Sequence, residues 1–282
     1  MKKLKSQNGA SISFALLLFL VCATAGAVVL AAGTAAAGRL SQMVNMDKRY
    51  YSASSAAALL AKEIEGKKVT IVRSRVEKVT KITTYNESGT QTDQEEKYKL
   101  KYETIVNELK EVKDIPEASD RPDSEGNSTE IFWTSFLTKQ ACYLMFEDGN
   151  CNTDAALNRS FGLSSAKEPM QLTLTGVGES LAALNITGTA TLNIDGSIEF
   201  EIGSTVDKDT YTLILRLNPV INESSSSSMT SDPPSYSYGA GGVFTETLTT
   251  TETTTITSTI SWDVESIQKK VSDFKPTPSG TP

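Results

Sequence analysis

One feature constrains this chain more than any other: 29 consecutive uncharged residues from Ala10 to Gly38, ASISFALLLFLVCATAGAVVLAAGTAAAG. Roughly 20 apolar residues in a helix cross a bilayer, so this run is long enough to span one with length to spare. Residues 1–46 contain no acid, and their only basic residues are Lys2, Lys3, Lys5 and Arg39. The remaining 236 residues hold 23 of the 27 basic residues and all 34 acidic ones, so they carry −11 while the whole chain carries −7. A short basic leader thus precedes an apolar segment and a long acidic body. Positive flanks stay in the cytoplasm, which predicts a single-pass protein of the cell membrane with a cytoplasmic N-terminus and an extracellular C-terminal domain.

Two other fates of the apolar run compete with a permanent span. A secretory signal would be cleaved at Ala35-Ala36-Ala37, but its apolar core of about 19 residues exceeds the usual 7–15. A lipoprotein signal ending at Cys22 fits poorly behind the bulky Phe19-Leu20-Val21. The start of the run is informative in itself. It begins abruptly after Gly9, behind the polar leader Met1-Lys2-Lys3-Leu4-Lys5-Ser6-Gln7-Asn8.

A short basic leader, a Gly and then an apolar helix resembles the prepilin signal of type IV pilins and Tad-type (TadE-like) pseudopilins. The stretch Gly9-Ala10-Ser11-Ile12-Ser13-Phe14-Ala15-Leu16-Leu17 is similar to the Tad-type start, which also runs into Phe-Ala-Leu. The resemblance implies that a prepilin peptidase cuts after Gly9 and leaves Ala10 as the new N-terminus. It also implies that Ile12–Val29 becomes a spine, with Ile12, Phe14, Leu16, Leu17 and Leu20 packing against other pilin-like subunits. The family places a Glu fifth after the cut, where it pairs with a neighbour's amino terminus. Here that residue is Phe14, preceded by Ser13, so the role of the carboxylate is not carried over.

Beyond Arg39, the apolar or small residues Leu40, Met43, Tyr50, Ala57, Ala61 and Ile64 fall at helical spacing. Residues 10–38 therefore read as the transmembrane half of a helix and 39–66 as its amphipathic continuation. A helix from about Ser11 to Glu65 would be roughly 80 Å long at 1.5 Å per residue. Gly66 followed by Lys67-Lys68 predicts its stop.

The body reads as strand-rich. In region 67–170, Val69–Tyr85 and Lys97–Val106 are rich in β-branched residues and predict a long hairpin around the polar segment Asn86–Glu96. Asp114–Thr129 predicts a loop, and Ile131–Phe146 a helix whose aromatic residues belong to the core. Region 171–266 predicts antiparallel strands at Gln171–Thr175, Thr187–Asn193, Ser197–Ile202 and Thr210–Leu217. A three-residue loop ending at Gly196 keeps Leu192 opposite Ile198 and Ala190 opposite Phe200 on one apolar face. Glu223–Gly242 (ESSSSSMTSDPPSYSYGAGG) reads as a disordered loop, and 267–282 as a flexible tail. In Phe244–Val264 every odd position from Thr245 to Ser261 is Thr or Ser, the pattern of a strand with a hydroxyl outer face. Its length predicts a bulge near Thr251-Glu252. The fold class expected is α+β, a long N-terminal helix packed on a largely antiparallel sheet.

Chemistry is sparse. With no His in the chain, Ser-His-Asp and Cys-His catalysis and His-ligated zinc are excluded, and no catalytic constellation stands out. The acidic balance disfavours nucleic acid as a partner, since such binding displaces counterions with a basic face. Cys142 and Cys151, separated by eight residues, are either a disulfide or two independent thiols. Asp148, Asn150, Asn152 and Asp154 alternate as calcium-loop oxygens do. Yet Thr153 and Arg159 stand where an EF-hand needs Gly and Glu, so a polar turn competes with a Ca2+ site. No other cofactor is expected. The expected function is structural, a pilin-like subunit that is not an enzyme. The alternative is a single-pass surface protein whose β-rich ectodomain binds a ligand or partner without entering a filament.

Overall fold

The computed structural model describes residues 8–122, 125–172, 186–206 and 209–270. Residues 1–7 of the leader, 173–175 of one expected strand and 271–282 of the expected tail lie outside them. The architecture is α+β: one long helix against a large antiparallel sheet.

Helix α1 (Asn8–Ile64) runs without interruption for 57 residues, about 85 Å. It stops where the sequence predicts. Gly66 takes a left-handed φ of +76°, and the N–H groups of Glu65 and Lys67 close the last turn on Ala61 O and Ile64 O.

Strands β1 (Lys68–Tyr85) and β2 (Gln91–Val106) form the long hairpin. Its turn is shorter than expected, because only 86–90 turn and 91–96 already belong to β2. The Asn86 Oδ1 accepts from the N–H groups of Ser88 and Thr90, and Gly89 supplies a φ of +72°. Asn107, at φ +53°, then returns the chain into β3 (Leu109–Ala118). The expected loop from Asp114 is corrected here, since Asp114–Ala118 is strand. Pro116 is tolerated because β3 is the sheet edge and needs no ladder donor on its outer side.

A small insert follows. Strands β4 (Asn127–Ser128) and β5 (Asn150–Cys151) pair, with a 3-10 turn at Thr129–Phe132 and helix α2 (Phe136–Met145) between them. The start of α2 is set by a capping box, in which Ser135 and Thr138 satisfy each other's backbone N–H. Helix α3 (Asp154–Asn158) comes next.

The chain then adds β6 (Met170–Leu172), β7 (Ile186–Leu192), β8 (Ile198–Val206), β9 (Asp209–Ser231), β10 (Ser235–Tyr238) and β11 (Phe244–Lys269). Leu192 faces Ile198 and Ala190 faces Phe200, the register that a loop ending at Gly196 (φ +79°) requires. The spatial order is β3-β2-β1-β11-β9-β8-β7-β6, with β10 also on β11. Residues 223–242, expected as a disordered loop, are mostly strand. Ser224–Ser231 pair with Thr257–Thr250, and β10 pairs with Phe244–Thr247. A full-length partner satisfies the backbone of a segment that has little strand propensity of its own.

Strand β11 stays in continuous register through Thr251 and Glu252, where a bulge was expected. The irregularity falls instead between Val264 and Ser266, leaving Glu265 as the extra residue, its carboxylate 2.9 Å from Arg216 Nε. Both neighbours of β11 are long and twist with it, so no break is needed earlier. Residues 267–269, expected in the tail, pair with 213–215 of β9.

Alternation splits the sheet into two faces. One carries Val69, Ile71, Ile198, Phe200, Leu215, Leu217, Ile260 and Trp262, all buried beneath α1, α2 and α3. The other presents the hydroxyl row from Thr245 to Ser261, which stays half-buried at the open surface. Only the last turns of α1 join the core, through Ser52, Ala53, Ala56, Ala57 and Ile64. The alanines let the helix approach β8 and β9 closely. Leu40, Met43 and Tyr50, expected in the same seam, are exposed, so the packed part of the amphipathic continuation begins later than 39.

Candidate functional site

Among the described side chains, the apolar part of α1 from Phe19 onward has nothing in the head to pack on. Phe19, Leu20, Val28, Val29 and Leu30 are each more than 60% exposed, and no side chain of the membrane-length window is buried in the head. Burying one such side chain is worth about 1.5–3 kcal/mol, so a bare row of them demands lipid or other helices. Added Cβ atoms at Gly26, Gly33 and Gly38 would meet open space, which leaves the helix slim enough for close approach by another. The helix is long and apolar enough to span a membrane. Gly9 and Ala10 lie in its first turn. The side chains of Ala10, Ile12, Phe14, Leu16 and Leu17 lie outside the described residues; Leu20 is described, and is exposed.

Cys142 and Cys151 do not form a bond. Both are free and buried in the main core, Cys142 on α2 and Cys151 on β5. Burial pushes the Cys142 thiol up to about 12 and that of Cys151 up to about 11. These are inert core thiols, which behave as small hydrophobes. Cys22 is exposed on the apolar helix.

The loop considered for calcium directs its oxygens elsewhere. Asp148 Oδ1 accepts from the Asn150 N–H at 3.1 Å in a local turn. Asn152, at φ +62° and buried, accepts from the Thr104 hydroxyl at 2.8 Å. Asp154 opens α3 behind its N-cap Thr153 and is held by Tyr102 Oη at 2.9 Å, Arg75 Nη1 at 3.2 Å and Arg121 Nη2 at 2.9 Å. Two guanidinium groups face the carboxylate that would be a cation's strongest ligand, and the other described oxygens of the loop accept hydrogen bonds from the protein itself.

Asp154 is one member of a charged patch at the upper rim of the core. Arg121 Nε also reaches Glu77 at 3.1 Å, and Arg75 reaches Glu77 at 3.5 Å. Burial opposes the charge on Asp154, but the Tyr102 hydroxyl, Arg75 and Arg121 outweigh it and hold its carboxyl below the ordinary value. Arg73 is the deepest member, with only 2% of its side chain exposed. It donates to Ala156 O at 2.7 Å, Glu223 Oε2 at 2.9 Å and Ser258 Oγ at 3.2 Å. Burial lowers its pKa and Glu223 partly restores it. The patch fastens β1, β9, β11 and α3 together. One signal for it is visible in the sequence: Arg73 and Arg75 continue the core-facing parity of Val69 and Ile71, where arginines require partners.

No family model and no curated protein matches the chain. Among solved structures it is similar to the secretin-domain β-barrel of InvG from the Salmonella SPI-1 injectisome, at 9% identity and TM-score 0.13, covering 78% of this chain and 68% of that one. The ETEC pilotin–secretin complex AspS–GspD gives 9% identity and TM-score 0.12, covering 75% and 52%. Likeness at that level does not extend to a shared fold.

Proposed function

We propose that this chain is a structural, membrane-anchored pilin-like subunit, a minor pilin or pseudopilin of a type IV or Tad-like surface filament or secretion apparatus. Prepilin peptidase cuts it between Gly9 and Ala10. The span is single-pass, with the N-terminus cytoplasmic and the head extracellular.

The observation that carries this reading is the division of α1. Among the described side chains, the helix of 57 residues embeds only its last turns in the head and leaves the apolar stretch from Phe19 bare. A plain anchor needs about 20 residues. The extra length continues the spine into the head as a single rigid element, as filament packing requires. The basic leader and the Gly9-Ala10 junction support processing at that point. Phe14, which replaces the family's carboxylate, suits a subunit that caps or initiates rather than one that extends the filament.

The test is the mature N-terminus of the protein purified from its native membrane, read by mass spectrometry. Ala10 is the expected end, and a Gly9→Leu variant should keep its leader. An intact Met1 would overturn the reading in favour of a surface protein with a β-rich binding ectodomain. An end near Gly38 would overturn it in favour of a secretory signal.

A further inference from the structure

The end of the sheet remote from α1 carries an aromatic cluster that neither the core nor the span uses. Tyr85 lies 16 residues along the strand from Val69, which is buried beside the helix, a separation of about 50 Å. There the register places Tyr85, Phe244 and Tyr238 side by side in one row, with Thr83, Glu246 and Tyr236 in the next. The rings of Tyr85 and Phe244 stack at 4.6 Å between centroids, and Tyr238 leans on Phe244 at 6.1 Å. Tyr238 is 81% exposed and Tyr236 52%, a large aromatic surface left in water.

Two of the three phenols at this end are committed to one carboxylate. Tyr85 Oη donates to Glu246 Oε2 at 3.2 Å, and Tyr236 Oη donates to Glu246 Oε1 at 3.1 Å. Each phenol spends its proton on the carboxylate, so both hydroxyls and Glu246 offer only lone pairs outward. No Lys or Arg among the described residues comes within ion-pair distance of Glu246. A second carboxylate, Glu87, lies against the Gly239–Gly242 turn, where a Cβ on Gly242 would fall 2.4 Å from Glu87 Cγ.

The exposed ring of Tyr238, a carboxylate with no described Lys or Arg within ion-pair distance and an acidic body select a ligand that is positively charged and partly apolar. We propose that this tip is a binding site for an alkylammonium group, seated on the rings of Tyr238 and Phe244 with its charge toward Glu246. It does not depend on processing at Gly9.

The test uses the full chain in detergent and titrates choline and, separately, Nα-acetyl-lysine amide, followed by tyrosine fluorescence and calorimetry. Millimolar binding of at least one probe is expected, weakening by about tenfold in Glu246→Gln and in Tyr238→Ala. Choline binding more tightly would identify a quaternary headgroup as the source, and the lysine derivative more tightly a protein side chain. Circular dichroism unchanged in both variants separates loss of the site from loss of the fold. Equal binding of neutral methyl glucoside, or of the probes to both variants, would overturn the proposal, as would absence of binding to the unsubstituted chain.

Discussion

Arg73 Nη2 lies 2.9 Å from Glu223 Oε2, a pair 150 residues apart in sequence that reaches from β1 to β9 over the strand between them, β11. Ser258, on that middle strand, donates to the same carboxylate oxygen at 2.8 Å. Three central strands are thus tied at the level where the apolar core gives way to the long, two-sided upper sheet.

Removing Glu223 leaves a guanidinium almost wholly buried and without its counter-ion. Breaking such a pair costs roughly 3–5 kcal/mol, and the lower end applies because the Glu223 side chain is 41% exposed. Glu223→Ala should therefore lower the stability of the head by about 3 kcal/mol, read as a shift of the urea midpoint by tryptophan fluorescence. Replacing both partners by Met should recover most of the loss. A single-variant loss below about 1 kcal/mol would show that the pair behaves as an ordinary surface bridge.

Glu147 should contribute to the acid sensitivity of the fold. Hydrogen bonds from the Ser164 hydroxyl and N–H, the latter at 2.5 Å, and from Arg159 hold its carboxyl at about 2 against an ordinary 4.5. The folded chain thus binds this proton less readily than the unfolded one. Its stabilising contribution is complete above pH 4.5 and fades as the pH falls toward 2. Unfolding measured across that window should steepen with acid, and Glu147→Gln should flatten the dependence. An unchanged profile in the variant would count against this assignment.

Thiol accessibility should divide the cysteines. In the folded protein Cys142 and Cys151 resist a maleimide because both are buried and their thiols are pushed far above neutrality. Denaturation without reductant should expose two further reactive thiols beyond Cys22. Mass spectrometry that finds none would mean that Cys142 and Cys151 are bonded to each other.

Much of the fold is legible locally. Gly66 ends α1, and the Asp195-Gly196 turn sets the Leu192–Ile198 register, because both features depend on residues adjacent in sequence. Residues 223–231 were not legible as strand, since a run of serines reads as a linker until β11 lies beside it. The cysteines fail for a similar reason. Spacing alone suits a bridge, but whether two sulfurs meet depends on how α2 and β5 are oriented in the core. For the candidate tip site, Tyr236, Tyr238, Phe244 and Glu246 are close in sequence, while Tyr85 joins them only through pairing between strands 160 residues apart.

The sequence by itself determined an apolar helix long enough for a membrane, its basic leader, its glycine stop and the antiparallel α+β character of the body. Those properties follow from periodicity and turn residues, which act over a few positions. Tertiary structure alone decided that β1 and β11 pair along their whole length, merging two regions into one sheet. It also decided that α1 packs only from about Ser52 onward, leaving the apolar part bare. Backbone pairing and burial depend on what lies opposite, and here that partner is supplied by residues more than a hundred positions away.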